Sequence, residues 1–270
     1  MLKELTAPGG LRWQLKSWAR YRDIVWYRTL AGLKSEARRN YLGYVWFLLE
    51  PAITTATMYL VYVLIFQSGG PARVAMLLVG TIVWQWFESS VMQGMQGIRG
   101  KLHIMLHFTL PKYIFPLVGI FTNTWKFLCV FVVLLGACAL CGFPPTAALS
   151  YLPLVLAAQL IFIIGLTLPL AIAVAYMNDV TTVTSAIFRL LMFLSGVFFS
   201  ASQVPDAARF YFYLNPMAGI IEAYRSVMLE HAAPNLYALL YAILCGLILG
   251  LIGLFWCAYV DGKILKRVNG

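Results

Sequence analysis

The sequence predicts an all-α membrane protein. It would have six transmembrane helices, an N-terminal amphipathic helix at the membrane interface, and short re-entrant helices on the external side between helices 5 and 6. Three observations support this. Only 11% of the 270 residues are charged and 61% are hydrophobic, whereas a soluble domain is about 25% charged; there is too little polar surface to coat a globule. The apolar residues fall into runs near 46–66, 74–93, 113–140, 151–177, 180–200 and 236–260, each long enough for the roughly 20 residues that cross a bilayer. Positive charge collects before the first run and between alternate runs, with nine of the 20 Lys and Arg preceding residue 40.

Residues 1–44 are an N-terminal amphipathic interfacial segment, and 45–270 a single membrane domain. Trp13, Trp26 and Leu30 share one helical side, and Arg12, Lys16, Arg20, Arg28 and Lys34 lie among the aromatics. A basic amphipathic helix carrying Trp lies flat in the headgroup layer. No run here has the form of a cleavable signal peptide.

The breaks between runs carry turn chemistry: Ser68-Gly69-Gly70-Pro71, Gly142-Phe143-Pro144-Pro145 and Asn178-Asp179. With the N-terminus in the cytosol, the cytosolic segments hold 15 Lys and Arg and the external segments only Arg73, Arg209 and Arg225. That asymmetry places both termini inside. It also argues against nucleic acid as a partner, because the charge follows topology and forms no groove.

The connection 94–112 between the second and third runs is basic and sets Ile98, Leu102, Met105 and Leu106 on one side. It reads either as a surface helix that docks a partner or as a plain connector. His103 and His107 stand at i and i+4, but no third ligand is near, so no metal is expected. Gly100-Lys101 lacks the Ser or Thr of a phosphate-binding loop. The Cys138-x-x-Cys141 pair has no second pair, and reads as small fillers in a span.

Between the fifth and sixth runs, 202–235 is too polar to cross. Val204-Pro205 and Asn215-Pro216 each resemble a helix start, which predicts two short external helices. Glu222 and Arg225 are three apart and can pair on one face. In the first run Thr55, Tyr59, Tyr62 and Phe66 share a face; in the fifth Thr184, Phe188, Ser195 and Phe199 do. Hydroxyls mixed with rings suit either helix packing or the wall of a conduit for sugar chains. Of the ionisable residues Glu50, Glu88, Lys126 and Arg189, Lys126 is deep enough to face the interior, with Glu88 its nearest candidate partner. One deep carboxylate is too few for a proton relay.

The string Arg39-Asn40-Tyr41-Leu42-Gly43-Tyr44-Val45-Trp46-Phe47-Leu48-Leu49-Glu50-Pro51 resembles the start of the first span in ABC-2 type exporter permeases. It is most similar to the branch of the O-antigen, capsule and teichoic acid exporters. Leu214-Asn215-Pro216-Met217, followed by Glu222 to Arg225, is similar to that family's external NP…R segment. The resemblance implies a homodimer in the bacterial inner membrane, joined to two cytosolic nucleotide-binding subunits. ATP and Mg would be held by those partners, with no cofactor and no catalytic site in this chain. It implies that 94–112 is the coupling helix, with Ile98, Arg99, Lys101, Leu102 and Met105 as its contacts, and that Asn215, Pro216, Glu222 and Arg225 belong to the periplasmic gate. The two mixed faces would line a pore between protomers. The expected cargo is a lipid-linked polysaccharide, with periplasmic export proteins as possible further partners; the alternative is a lipid or drug-like small molecule.

Overall fold

The computed structural model describes residues 22–34, 45–66, 69–101 and 112–260. Among these residues the secondary structure is helical, with no strand. Helix α1 spans 22–34. It is followed by α2 (Trp46–Phe66), α3 (Pro71–Met95), α4 (Ile114–Leu140), α5 (Leu152–Tyr176), α6 (Asp179–Leu194), α7 (Asp206–Leu214), α8 (Pro216–Met228) and α9 (Leu236–Val260).

Among the described residues, four helical segments are long and apolar enough to cross a membrane: Pro71–Met95, Ile114–Leu140, Ala147–Tyr176 and Leu236–Cys257. Helix α2 matches the first predicted run. Helix α6 is shorter than predicted. It stops at Leu194 rather than near residue 200, because Ser195 leaves helical geometry as its C-cap and Gly196 takes φ +73°. Only glycine adopts that conformation without steric cost.

Helix α3 is the axis of the bundle and packs against α2, α4, α5 and α8. Its aromatic residues fill the centre. Trp84 and Phe87 meet Phe188 of α6, Phe87 stacks on Phe162 of α5, and Trp86 stacks on Phe127 of α4 with centroids 4.1 Å apart. Polar side chains tie the same helices together. Gln159 of α5 donates to Val83 O (3.0 Å), and Trp86 Nε1 donates to Thr124 of α4 (3.3 Å).

The most extensive contact joins α5 to α9. In lipid, burying apolar surface between helices gains little, so association depends on close packing. Here backbones touch at glycine. A Cβ on Gly165 would strike Gly246 O, and one on Gly246 would lie 2.8 Å from Ile161 O.

Helix α1 sits against α4, where Trp26 meets Trp125 edge-on at 5.6 Å and Gly32 lies beside Thr122. The rest of the predicted interfacial segment, including Arg12, Trp13 and Lys16, lies outside the described residues. So does the 39–44 part of the resemblance string.

Candidate functional site

The chain between α6 and α8 forms a folded cap whose parts follow from local chemistry. Ser200 caps the short 3₁₀ turn Ala201–Gln203 reciprocally with Gln203. Pro205 then sits at the cap position of α7, one residue ahead of the first helical position expected for it. Asn215 does two things at once. Its Oδ1 accepts from Met217 N (3.0 Å), capping α8, while its Nδ2 donates to Ser195 Oγ (2.6 Å) across the cap. Pro216 is the first residue of α8, where its missing N–H costs nothing.

Arg225 locks this cap to the bundle. It is 2% exposed and donates to Val197 O (2.8 Å), Phe199 O (2.8 Å) and Met76 O of α3 (3.4 Å). Its ion pair with Glu222 measures 3.2 Å, and Glu222 Oε1 also accepts from Ala201 N (2.8 Å). The planar guanidinium suits this because its donors diverge toward several carbonyls. Gly80 makes room for it: a Cβ there would lie 2.5 Å from Val197 O and 3.0 Å from Arg225 Nη2. Burial raises the Tyr224 phenol well above its ordinary pKa. Burial first, and then the Glu222 carboxylate, raises that of Tyr213.

Beneath the cap lies a cavity of about 740 Å³ between α3, α5, α6 and α7. Thr184, Phe188 and Phe199 of the fifth-run face line it, together with Asn215 and Pro216, so the structure brings these five predicted residues to one place. Most of the remaining wall is apolar, including Trp84, Phe87, Phe162, Leu191 and Phe212. Ser195 is spent on Leu191 and Asn215. From the first-run face, Thr55 is buried and hydrogen-bonded to Thr81 of α3 (3.0 Å), and the Tyr59 hydroxyl accepts from Gly70 N (3.3 Å). The side chains of Tyr62 and Phe66 lie outside the described residues.

At the opposite end of α3, Ile98 is 1% exposed and clustered with Phe115, Ala171 and Ile172. Its side chain anchors the turn into the bundle. Arg99 reaches Val174 O at 3.5 Å from the 3₁₀ turn Arg99–Lys101. Leu102, Met105 and the Lys101 side chain lie outside the described residues.

Sequence reasoning missed a second concavity. A cleft of about 420 Å³ between α2, α3 and α4 is lined by Glu50, Gln85, Ser89, Gln93, Gln96, Asn123 and Lys126 among others. The signal was present: Gln85, Ser89, Gln93 and Gln96 recur at i, i+4, i+8 and i+11, one polar stripe on an otherwise apolar helix. Lys126 faces this cleft in company with Glu50. The Glu88 carboxylate accepts from Trp84 Nε1 (3.0 Å), one turn back on the same helix.

Comparison with known proteins gives consistent relatives. The O-antigen export system permease protein RfbA of Myxococcus xanthus is 25% identical over 217 residues, covering 80% of this chain and 84% of that protein. An RfbA of Klebsiella pneumoniae is 23% identical over 234 residues, covering 86% and 90%. The capsule polysaccharide export inner-membrane protein CtrC of Neisseria meningitidis is 23% identical over 219 residues, covering 80% and 83%. The profile of the ABC-2 type transporter family matches residues 27–229, from the α1 helix through the Arg225 lock to the end of α8. With that match over most of its length, the chain belongs to the ABC-2 type transporter family.

Proposed function

We propose that this chain is the channel-forming subunit of an ATP-driven exporter that moves lipid-linked polysaccharide, such as O-antigen or capsule, across the bacterial inner membrane. The observation that carries the proposal is the similarity, over 80–86% of the chain, to permeases named for exporting those polymers. In this reading the chain is not itself an enzyme. It spans the membrane six times with both termini cytosolic, and α1 belongs to a surface-lying segment over 1–44. Two copies form the pore, and two cytosolic nucleotide-binding subunits hold ATP and Mg and dock on 94–112, where Ile98 pins the turn to the bundle. Periplasmic export proteins complete the route.

The cap over α7 and α8 is then the external gate. Asn215, Pro216, Glu222 and Arg225 hold it as one unit, and the cavity below is its inner chamber. Thr184, Phe188 and Phe199 supply rings and a hydroxyl to the passing cargo. Tyr59, Tyr62 and Phe66 complete the proposed lining, while Thr55 and Ser195, whose hydroxyls are taken up within the protomer, hold its wall in place.

A second reading, export of a lipid or drug-like molecule, is favoured by one observation: the cavity wall is largely apolar. Co-expression with an ATPase subunit decides between them. A stable complex whose vanadate-sensitive ATPase activity is stimulated by lipid-linked polymer, and not by the lipid carrier alone, supports polysaccharide export. Equal stimulation by the bare carrier supports the second reading, and a chain that is active without an ATPase subunit contradicts both.

A further inference from the structure

We propose that the polar cleft between α2, α3 and α4 is a binding site for the sugar head of a membrane-anchored glycolipid. The helical geometry of α3, about 100° per residue, sets this site apart from the cavity under the cap. Trp84 and Phe87 face that cavity, whereas Gln85, Ser89, Gln93 and Gln96 face the opposite side. Gln85 and Gln96 are separated by about 16 Å of helix rise, so the stripe runs from the α3 terminus well into the span.

The chemistry of the lining selects the ligand. Among the described residues its polar lining is four amides, a hydroxyl, one cation, Lys126, and one carboxylate, Glu50. A phosphate site concentrates cations or backbone N–H groups, and the described lining is instead rich in amides. Amides offer a donor and an acceptor side by side, as vicinal sugar hydroxyls require. Asn123 is oriented for this: its Nδ2 is committed to Ser89 O, Gly119 O and Gln93 Oε1. That leaves its own Oδ1 as acceptor beside the Gln93 Nε2 donors. A volume of about 420 Å³ falls in the range of about 300–1,000 Å³ typical of small-molecule sites. Ile82, Trp86, Met92, Phe127 and Val130 supply the apolar part of the same lining, a surface against which the lipid chain can lie. The proposal deepens the export reading, and rests on it only for the biological source of the sugar.

The test uses the full chain extracted without detergent into native nanodiscs, with no ATPase subunit and no export readout. The probe is a diazirine-bearing alkyl maltoside, and crosslinks are mapped by mass spectrometry. The site predicts labelling within 85–96 and 123–130, competed by dodecyl maltoside and not by dodecylphosphocholine. It also predicts about a 5-fold loss of labelling in Gln85→Leu, the scale of one hydrogen bond. Gln96→Ala, at the exposed end of the stripe, gives a comparable loss without endangering the fold. Equal competition by the phosphocholine assigns the cleft to lipid headgroups in general and overturns the proposal. Labelling that is unchanged in both variants, or that maps elsewhere, also overturns it. Because export is not measured, these outcomes are independent of whether the chain proves to be a polysaccharide permease.

Discussion

Arg225 and Glu222, one turn apart on α8, form a 3.2 Å ion pair, and both reach the irregular segment that follows α6: Arg225 holds Val197 O and Phe199 O, and Glu222 holds Ala201 N. The pair is therefore a clasp between the cap and the bundle, with Met76 O of α3 as its anchor on the bundle side. Removing one partner of a buried pair strands the other charge and costs about 3–5 kcal/mol. We expect Arg225→Met to lower the melting temperature of the purified protein sharply. Arg225→Lys should recover little, since an ammonium cannot reach divergent carbonyls together. Glu222→Gln should cost less, because an amide oxygen still accepts from Ala201. Thermal unfolding followed by tryptophan fluorescence measures all three.

The α5–α9 contact makes a sharper steric prediction. Gly165→Ala places its methyl against Gly246 O, so the two helices must separate. Gly250→Ala meets Gly165 Cα at 3.4 Å, an ordinary contact. The first substitution should reduce the yield of folded protein severely and the second hardly at all, as judged by monodisperse recovery after extraction.

Thr55 and Thr81 test how α2 is held. Thr81 donates to Leu77 O at 2.7 Å, so the Thr55 hydroxyl is the donor in the 3.0 Å bond between them. Interhelical hydrogen bonds of this kind contribute about 0.6 kcal/mol on average in membranes. A double-mutant cycle of Thr55→Val and Thr81→Val should return a coupling of about that size. A coupling of zero would show that the contact does not secure α2.

Phe199 lines the cavity and packs on Phe212 of α7 with centroids 5.9 Å apart. Phe199→Ala should leave the subunit folded and assembled with its ATPase yet lower surface polymer several-fold. Surface polymer at the wild-type level would remove Phe199 from the conduit.

The apolar runs made most of the helices legible, and the run at 46–66 coincides with α2 from end to end. A run of lipid-length apolar residues has few other stable forms, since every backbone polar group must be satisfied within the segment. The Asn215-Pro216 start and the Glu222–Arg225 pair were equally legible because caps and i,i+3 pairs are local. The end of α6 was not. Ser195-Gly196 ends it inside a run that turns apolar again at Val197-Phe198-Phe199, and the bend is held by contacts from Asn215 and Arg225, 20 or more residues away. The polar cleft was overlooked for a different reason. Its amides are diluted among aromatics in a run read for mean hydropathy, so the stripe appears only when α3 is read by face.

Deleting this chain in its native strain, with polymer synthesis intact, should leave lipid-linked polysaccharide accumulating on the cytosolic side and none at the surface, as read by fractionated immunoblotting. Complementation should restore it. Surface polysaccharide at undiminished levels in the deletion strain would contradict the account.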